Sequence, residues 1–276
     1  MTEGATATRQ AAEAHRESLL LEASLAASCL GIGLTGIRQY SFADKGRFFA
    51  GMFGVTIGLE RILKLCVVLE HLLRTGAPPT QNELKDHGHS LSALLTTVRA
   101  VNARCALAVD EGGLEGTLSQ KIVELLTSFA GKARYYNLNV MTRTQAIPMA
   151  EPLAAWAREI GQELVRRHHR PSARVRADIA AAAALKGTPG VLMEHVGDDG
   201  APIQDLGGFV SHSAVAETKQ KYSVFYIHGI ALFCIGVLEA LDERFNPPLY
   251  VSEPFRSFWV TDQRAILRRK RWDRAG

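Results

Sequence analysis

Glu60 and Lys64 stand four residues apart in the stretch 48–74, which is otherwise dominated by Phe, Ile, Leu, Val and Gly. On a helix this spacing puts carboxylate and ammonium side by side, with Glu before Lys in the favourable order. Charges among apolar neighbours need partners. The pair therefore reads either as an ion pair tying two helices together or as a polar group lining a cleft. His89, in the run Asp86-His87-Gly88-His89-Ser90, adds an imidazole, whose titration near neutrality suits general acid–base work. Two histidines and one aspartate fall short of the ligand set of a metal site, so neither a metal nor another cofactor is expected. Gly31-x-Gly33-x-x-Gly36 matches the dinucleotide fingerprint in letters. That fingerprint works where a strand delivers its glycines to a helix start, whereas these follow a helix-like run. Helix termination or close helix packing is the expectation. His228, on the most apolar helix, reads as a core histidine. No GxSxG, HExxH, P-loop or CxxC occurs, so classical hydrolase, zincin, P-loop NTPase and zinc-ribbon chemistry have no motif here.

Charge is the second chemical feature. The net charge is only +4, but it is concentrated. Residues 166–176 hold Arg166, Arg167, Arg170, Arg174 and Arg176 with no acid, and residues 264–276 hold six Lys/Arg against one Asp. Each segment carries +5, which leaves −6 on the rest of the chain. Clustered arginines on a mildly acidic body suit a phosphate backbone. The expected contacts are the five arginines of the first segment and Arg268, Arg269, Lys270 and Arg271 of the second. Trp272 is expected to stack on a base.

The elements that carry these groups are helical. Helices are predicted over about 9–34, 42–74, 91–109, 118–134, 152–167, 171–187 and 213–245, with Gly76 and Pro78-Pro79 closing the second and Ser90 capping the third. Residues 191–206, with Gly-Asp-Asp-Gly in the middle, read as a β-hairpin. The fold class is all-α: an antiparallel bundle of about seven helices with a small hairpin near 190–206. Two parts are expected, 9–147 and 148–276. With 276 residues and 47% apolar composition the chain can bury a sizeable core. The stretch 224–238 is apolar for only 15 residues and contains His228, so it reads as a core helix and not a membrane span. Four cysteines without CxxC spacing, and no basic-then-apolar start, point to a cytoplasmic protein with reduced thiols.

Residues 48–95 resemble the HEPN superfamily of helical bundles. The matching features are Glu60 and Lys64 on one helix, and then Gly88, His89, Ser90 and Leu91 at the start of the next. Ser90 stands where the family usually has Asp, and both residues cap helices. Ala133-Arg134-Tyr135-Tyr136-Asn137 resembles an Arg-Tyr signature that follows the bundle in some members. The resemblance implies a homodimer and an RNA-binding protein or metal-independent ribonuclease in toxin or phage-defence systems. It also implies an active centre among Glu60, Lys64, His89, Arg134 and Tyr135. There Arg134 would hold phosphate and His89 would act as acid or base. The family's catalytic Arg-x4–6-His occurs here only as Arg9 and His15, far from its usual late position. The alternative is a non-catalytic assembly or regulatory protein that dimerises and docks a protein partner.

Overall fold

The structure is a computed structural model that describes residues 3–86, 88–131, 135–142, 151–187 and 194–273. The first helices are α1 (Glu3–Ala14), α2 (Arg16–Gln39) and α3 (Lys45–Thr75). The predicted first helix thus breaks at His15. After α3 come the short α4 (Gln81–Asp86), then α5 (Leu91–Arg104), α6 (Gly116–Gly131) and α7 (Tyr136–Thr142). The predicted 152–167 helix runs as α8 (Pro152–Trp156), a wide turn over Ala157–Gly161 and α9 (Gln162–His168). Then follow α10 (Pro171–Gly187), the strands β1 (His195–Val196) and β2 (Pro202–Ile203), α11 (Leu206–Asp242) and α12 (Gln263–Arg268). The architecture is all-α with one antiparallel two-strand hairpin.

The most extensive helix contact joins α2 and α3, which run antiparallel. A Cβ added to Gly36 would lie 2.8 Å from the Cα of Gly51. One added to Gly54 would lie 2.7 Å from the Gly33 backbone and from the Cys29 carbonyl oxygen. One added to Gly58 would lie 2.8 Å from the Leu30 nitrogen. The fingerprint-like glycines therefore serve close helix packing. Gly31 has a different partner: its added Cβ would strike the carbonyl oxygen of Trp272 at 2.5 Å.

The α3–α5 pair departs from the expected antiparallel order. Glu60 meets His89 at the start of α5, and Glu70 meets Arg104 at its end, so the two helices run parallel. The connection 76–90, which holds α4, is long enough to carry the chain back along α3. Gly76 ends α3 at φ 75°, a left-handed conformation that suits glycine.

Helix α11 lies at the centre and packs on α2, α3, α5, α6, α10 and α12. One hydrophobic core contains Leu30, Phe48, Leu94 and Ile122 together with Trp156, Cys234, Phe255 and Trp272. The boundary expected at 147/148 therefore does not separate two cores, because α11 supplies the middle of a core that α2 and α3 begin. By length and composition α2 and α11 are both apolar enough to cross a membrane. In α11, 67% of the most apolar stretch is buried within the protein, against 44% in α2, where Leu21, Leu25 and Ile32 face outward.

Gly54→Ala tests the α2–α3 contact. The new methyl meets the α2 backbone at Cys29 and Gly33, which side-chain rotation cannot relieve, so a loss of about 3 kcal/mol is expected. A urea midpoint unchanged from wild type would contradict it.

Candidate functional site

Three of the expected catalytic residues come together. Lys64 donates to Glu60 Oε1 at 2.8 Å, and His89 Nδ1 lies 2.9 Å from the same oxygen. An ionised carboxylate only accepts, so Nδ1 carries the proton and Nε2 is left for a substrate. Burial pushes the Glu60 carboxyl up, but hydrogen bonds and charge from Lys64 and His89 outweigh burial and hold it below its usual range. Glu60 is 19% exposed and His89 is 71% exposed, so the carboxylate forms the floor and the imidazole the rim. Gly88, at φ 58°, turns the chain before His89, and the Ser90 side chain caps α5 by accepting from the Ala93 N–H at 3.3 Å. Nearby, Arg61 pairs with Glu22 and ties the middle of α3 to α2. Tyr135 is 51% exposed just before α7. Arg134 and His87 lie outside the described residues. His228 takes no part: it is fully buried and its Nε2 lies 2.9 Å from the Phe258 carbonyl oxygen.

The two basic segments meet. Arg170 and Arg176, at the start of α10, line one cleft of about 380 Å³ with Arg264 and Arg268 of α12. None of these four guanidinium groups has a carboxylate partner among the described residues. Helix α11 provides the floor with Glu217, Thr218, Lys221 and Tyr222. Glu217 is the cleft's acid, and it is already engaged by Lys221 at 2.7 Å and Arg38 at 3.8 Å. The hydrogen bond and charge of Lys221 hold its carboxyl low. His168 stacks on Tyr222 with ring centres 3.7 Å apart, and His169 Nδ1 meets Thr218 Oγ1 at 2.9 Å. Arg174 faces the other side of α10 and lines a second cleft with Arg166, Asp178 and His169.

Several other basic residues of the two segments are committed elsewhere. Arg166 and Arg167 both pair with Glu163. Arg269 is the clearest correction among the expected phosphate contacts. Its guanidinium donates to the Ser257 and Arg271 carbonyls and lies 4.3 Å from the Trp272 ring centre. Arg271 faces Asp273 at 3.5 Å. Lys270 remains exposed, and its carbonyl accepts from Gln39. Trp272, expected to stack on a base, is instead 2% exposed in the core, between His228 and Phe258. Its backbone N–H donates to Thr35 Oγ1 at 2.8 Å. Residues 257–273 thus form a strap across α2 and α11. Aromatic bulk beside basic residues is ambiguous in sequence, because a tryptophan serves a core or a base equally well.

No family model, no curated protein and no solved structure matches the chain. Function therefore rests on what these side chains can do. The cleft residues that sequence reasoning misses are Arg264, Lys221, Glu217, Thr218 and Tyr222. A signal does exist: Glu217 and Lys221 fall one turn apart on the early, more polar half of α11. The cleft and the acid–base cluster sit at opposite ends of α2. Arg38 reaches the cleft through Glu217, and Glu22 reaches the cluster through Arg61. Sixteen residues of helix separate them, or about 24 Å.

Beneath the strap, burial pushes the His228 imidazole down to about 4, the Phe258 carbonyl only partly opposing it. Between that value and the ordinary 6.5 the unfolded chain binds a proton that the folded chain does not, so stability falls as pH drops through this window. The expected loss by about pH 4 is on the order of 3 kcal/mol. Urea midpoints of wild type and His228→Phe, compared across the window, test this. Equal slopes for the two proteins would refute it.

Proposed function

We propose that the protein is a HEPN-like RNA-binding protein of the cytoplasm that holds phosphates in the cleft between α10, α11 and α12. The supporting observation is the convergence on one cleft of Arg170 and Arg176 with Arg264 and Arg268, nearly 90 residues away in the chain, none of them paired with a carboxylate among the described residues. Exposed guanidinium groups release condensed counterions when they meet a phosphate chain, which gives affinity with steep salt dependence. The chain acts as a homodimer in this proposal. Leu21, Leu25, Ile32, Phe53 and Ile57, exposed on the outer side of the α2–α3 pair, support that part. A solution mass of a single chain would remove it.

Anisotropy of a labelled single-stranded RNA, read between about 50 and about 200 mM salt, tests the binding. Wild type is expected to weaken linearly on logarithmic axes. Replacing Arg170, Arg176 and Arg268 by Ala should flatten that slope by roughly 0.7 for each phosphate no longer neutralised. No binding at the low-salt end overturns the proposal, and so does an unchanged slope in the triple variant.

The Glu60–His89 contact favours a second step, metal-independent cleavage of the bound RNA. In it His89 Nε2 takes the proton from a ribose 2′-hydroxyl. The freed oxygen attacks the adjacent phosphorus and closes a 2′,3′-cyclic phosphate, and the 5′-oxygen leaves with a proton from the imidazolium or water. Glu60 holds the ring in the required tautomer, as the carboxylate of a catalytic triad does. His89→Ala should reduce cleavage by at least about 100-fold with RNA affinity unchanged. A variant that cleaves as fast as wild type eliminates the assignment.

A further inference from the structure

We propose that the cleft between α10, α11 and α12 selects a polyphosphate end, the 5′-triphosphate of an RNA or of a free nucleotide, over the single charges of an RNA backbone. The RNA form of this inference rests on the binding function argued above.

Charge density carries the argument. Four guanidinium groups without carboxylate partners among the described residues, Arg170, Arg176, Arg264 and Arg268, surround about 380 Å³. That volume lies at the lower end of small-ligand sites, which run from about 300 Å³ upward. The acid on the cleft wall, Glu217, is already neutralised by Lys221 and Arg38. Four like charges held this close repel one another, and a phosphodiester brings only one negative charge to offset them. A triphosphate brings several on adjacent phosphorus atoms, with the planar oxygen pairs that arginine matches bidentately.

Further features fit such a ligand. The ring of His169 lines the cleft, and its Nε2 is shielded from solvent without a hydrogen-bond partner. Ala173, in the first turn of the 17-residue α10, also lines the cleft, so the positive end of that helix faces it. The stacked His168 and Tyr222 form an aromatic wall suited to a base. Burial and the nearby Arg167 charge hold the His168 imidazole below its usual pKa, which favours the neutral ring. The second cleft, beyond His169, has Arg166 and Arg174 but also Asp178, and Arg166 is already paired with Glu163. Its lower charge suits the backbone that follows an RNA terminus.

The experiment compares a short RNA carrying a 5′-triphosphate with the same RNA carrying a 5′-hydroxyl, and adds ATP and inorganic tripolyphosphate as competitors. The triphosphate RNA is expected to bind about tenfold more tightly. Tripolyphosphate should displace it, and Arg176→Ala with Arg264→Ala should abolish the preference while Arg256→Ala keeps it. Equal affinity for the two RNAs, without competition by tripolyphosphate, overturns the inference and leaves RNA binding standing. Binding of ATP or tripolyphosphate with no affinity for either RNA supports the site in its free-nucleotide form and removes the RNA reading. Failure of every probe at low salt removes both.

Discussion

Everything in this molecule is built on the glycine contact between α2 and α3. Ordinary side chains at 33, 36, 51, 54 and 58 would hold the helices apart by the thickness of their Cβ atoms, because each added methyl meets backbone. Dispersion gains are large only when surfaces touch, and a gap of about half an ångström already forfeits much of them. The close approach fixes the rotation of α3 about its own axis. That rotation turns Ile62, Leu65 and Cys66 into the core and leaves Glu60 and Lys64 at its edge. The acid–base cluster is thus a consequence of small residues on the neighbouring faces.

The same scaffold explains why two chemically distinct places coexist. Helix α3 meets α5 in parallel, which returns His89 to the level of Glu60. At the opposite end, α2 presents Arg38 to Glu217, and α11 carries the floor of the basic cleft. The helices themselves act as spacers, so no small ligand touches both ends. Only a ligand about 24 Å long or longer could, so any coupling of the cleft to the cluster would run through the length of what is bound.

The helical class, the hairpin, the cap at Ser90 and the Glu60–Lys64 pair are legible in the sequence, because they follow from local spacing and local chemistry. Helix ends and the break at His15 are less legible, since local signals there are weak. The packing role of Gly33 and Gly36 is legible once the preceding run is read as helical. Three features need coordinates. The parallel return of α5 depends on how the 76–90 connection is laid, which no periodicity encodes. The fate of Trp272 depends on the space between His228 and Phe258, more than a dozen residues away along the chain. The meeting of the two basic segments depends on α10 and α12 both docking on α11. Charge arithmetic identifies the segments but cannot set one beside the other.

The strap has a kinetic meaning as well as a structural one. Its bond from Trp272 to Thr35 closes a loop of 237 residues, whereas Gly36 and Gly51 meet across 15. Four doublings of loop length separate these closures, and at about 0.6 kcal/mol each the strap costs about 2.4 kcal/mol more in chain entropy. Loop entropy therefore favours the α2–α3 hairpin first and the strap late. Arg264 and Arg268 arrive with the strap, so a chain can possess its hairpin nucleus while the cleft is still open on one side. Capacity for anions would then report the final stage of folding, and a tight anion would draw the last segment home.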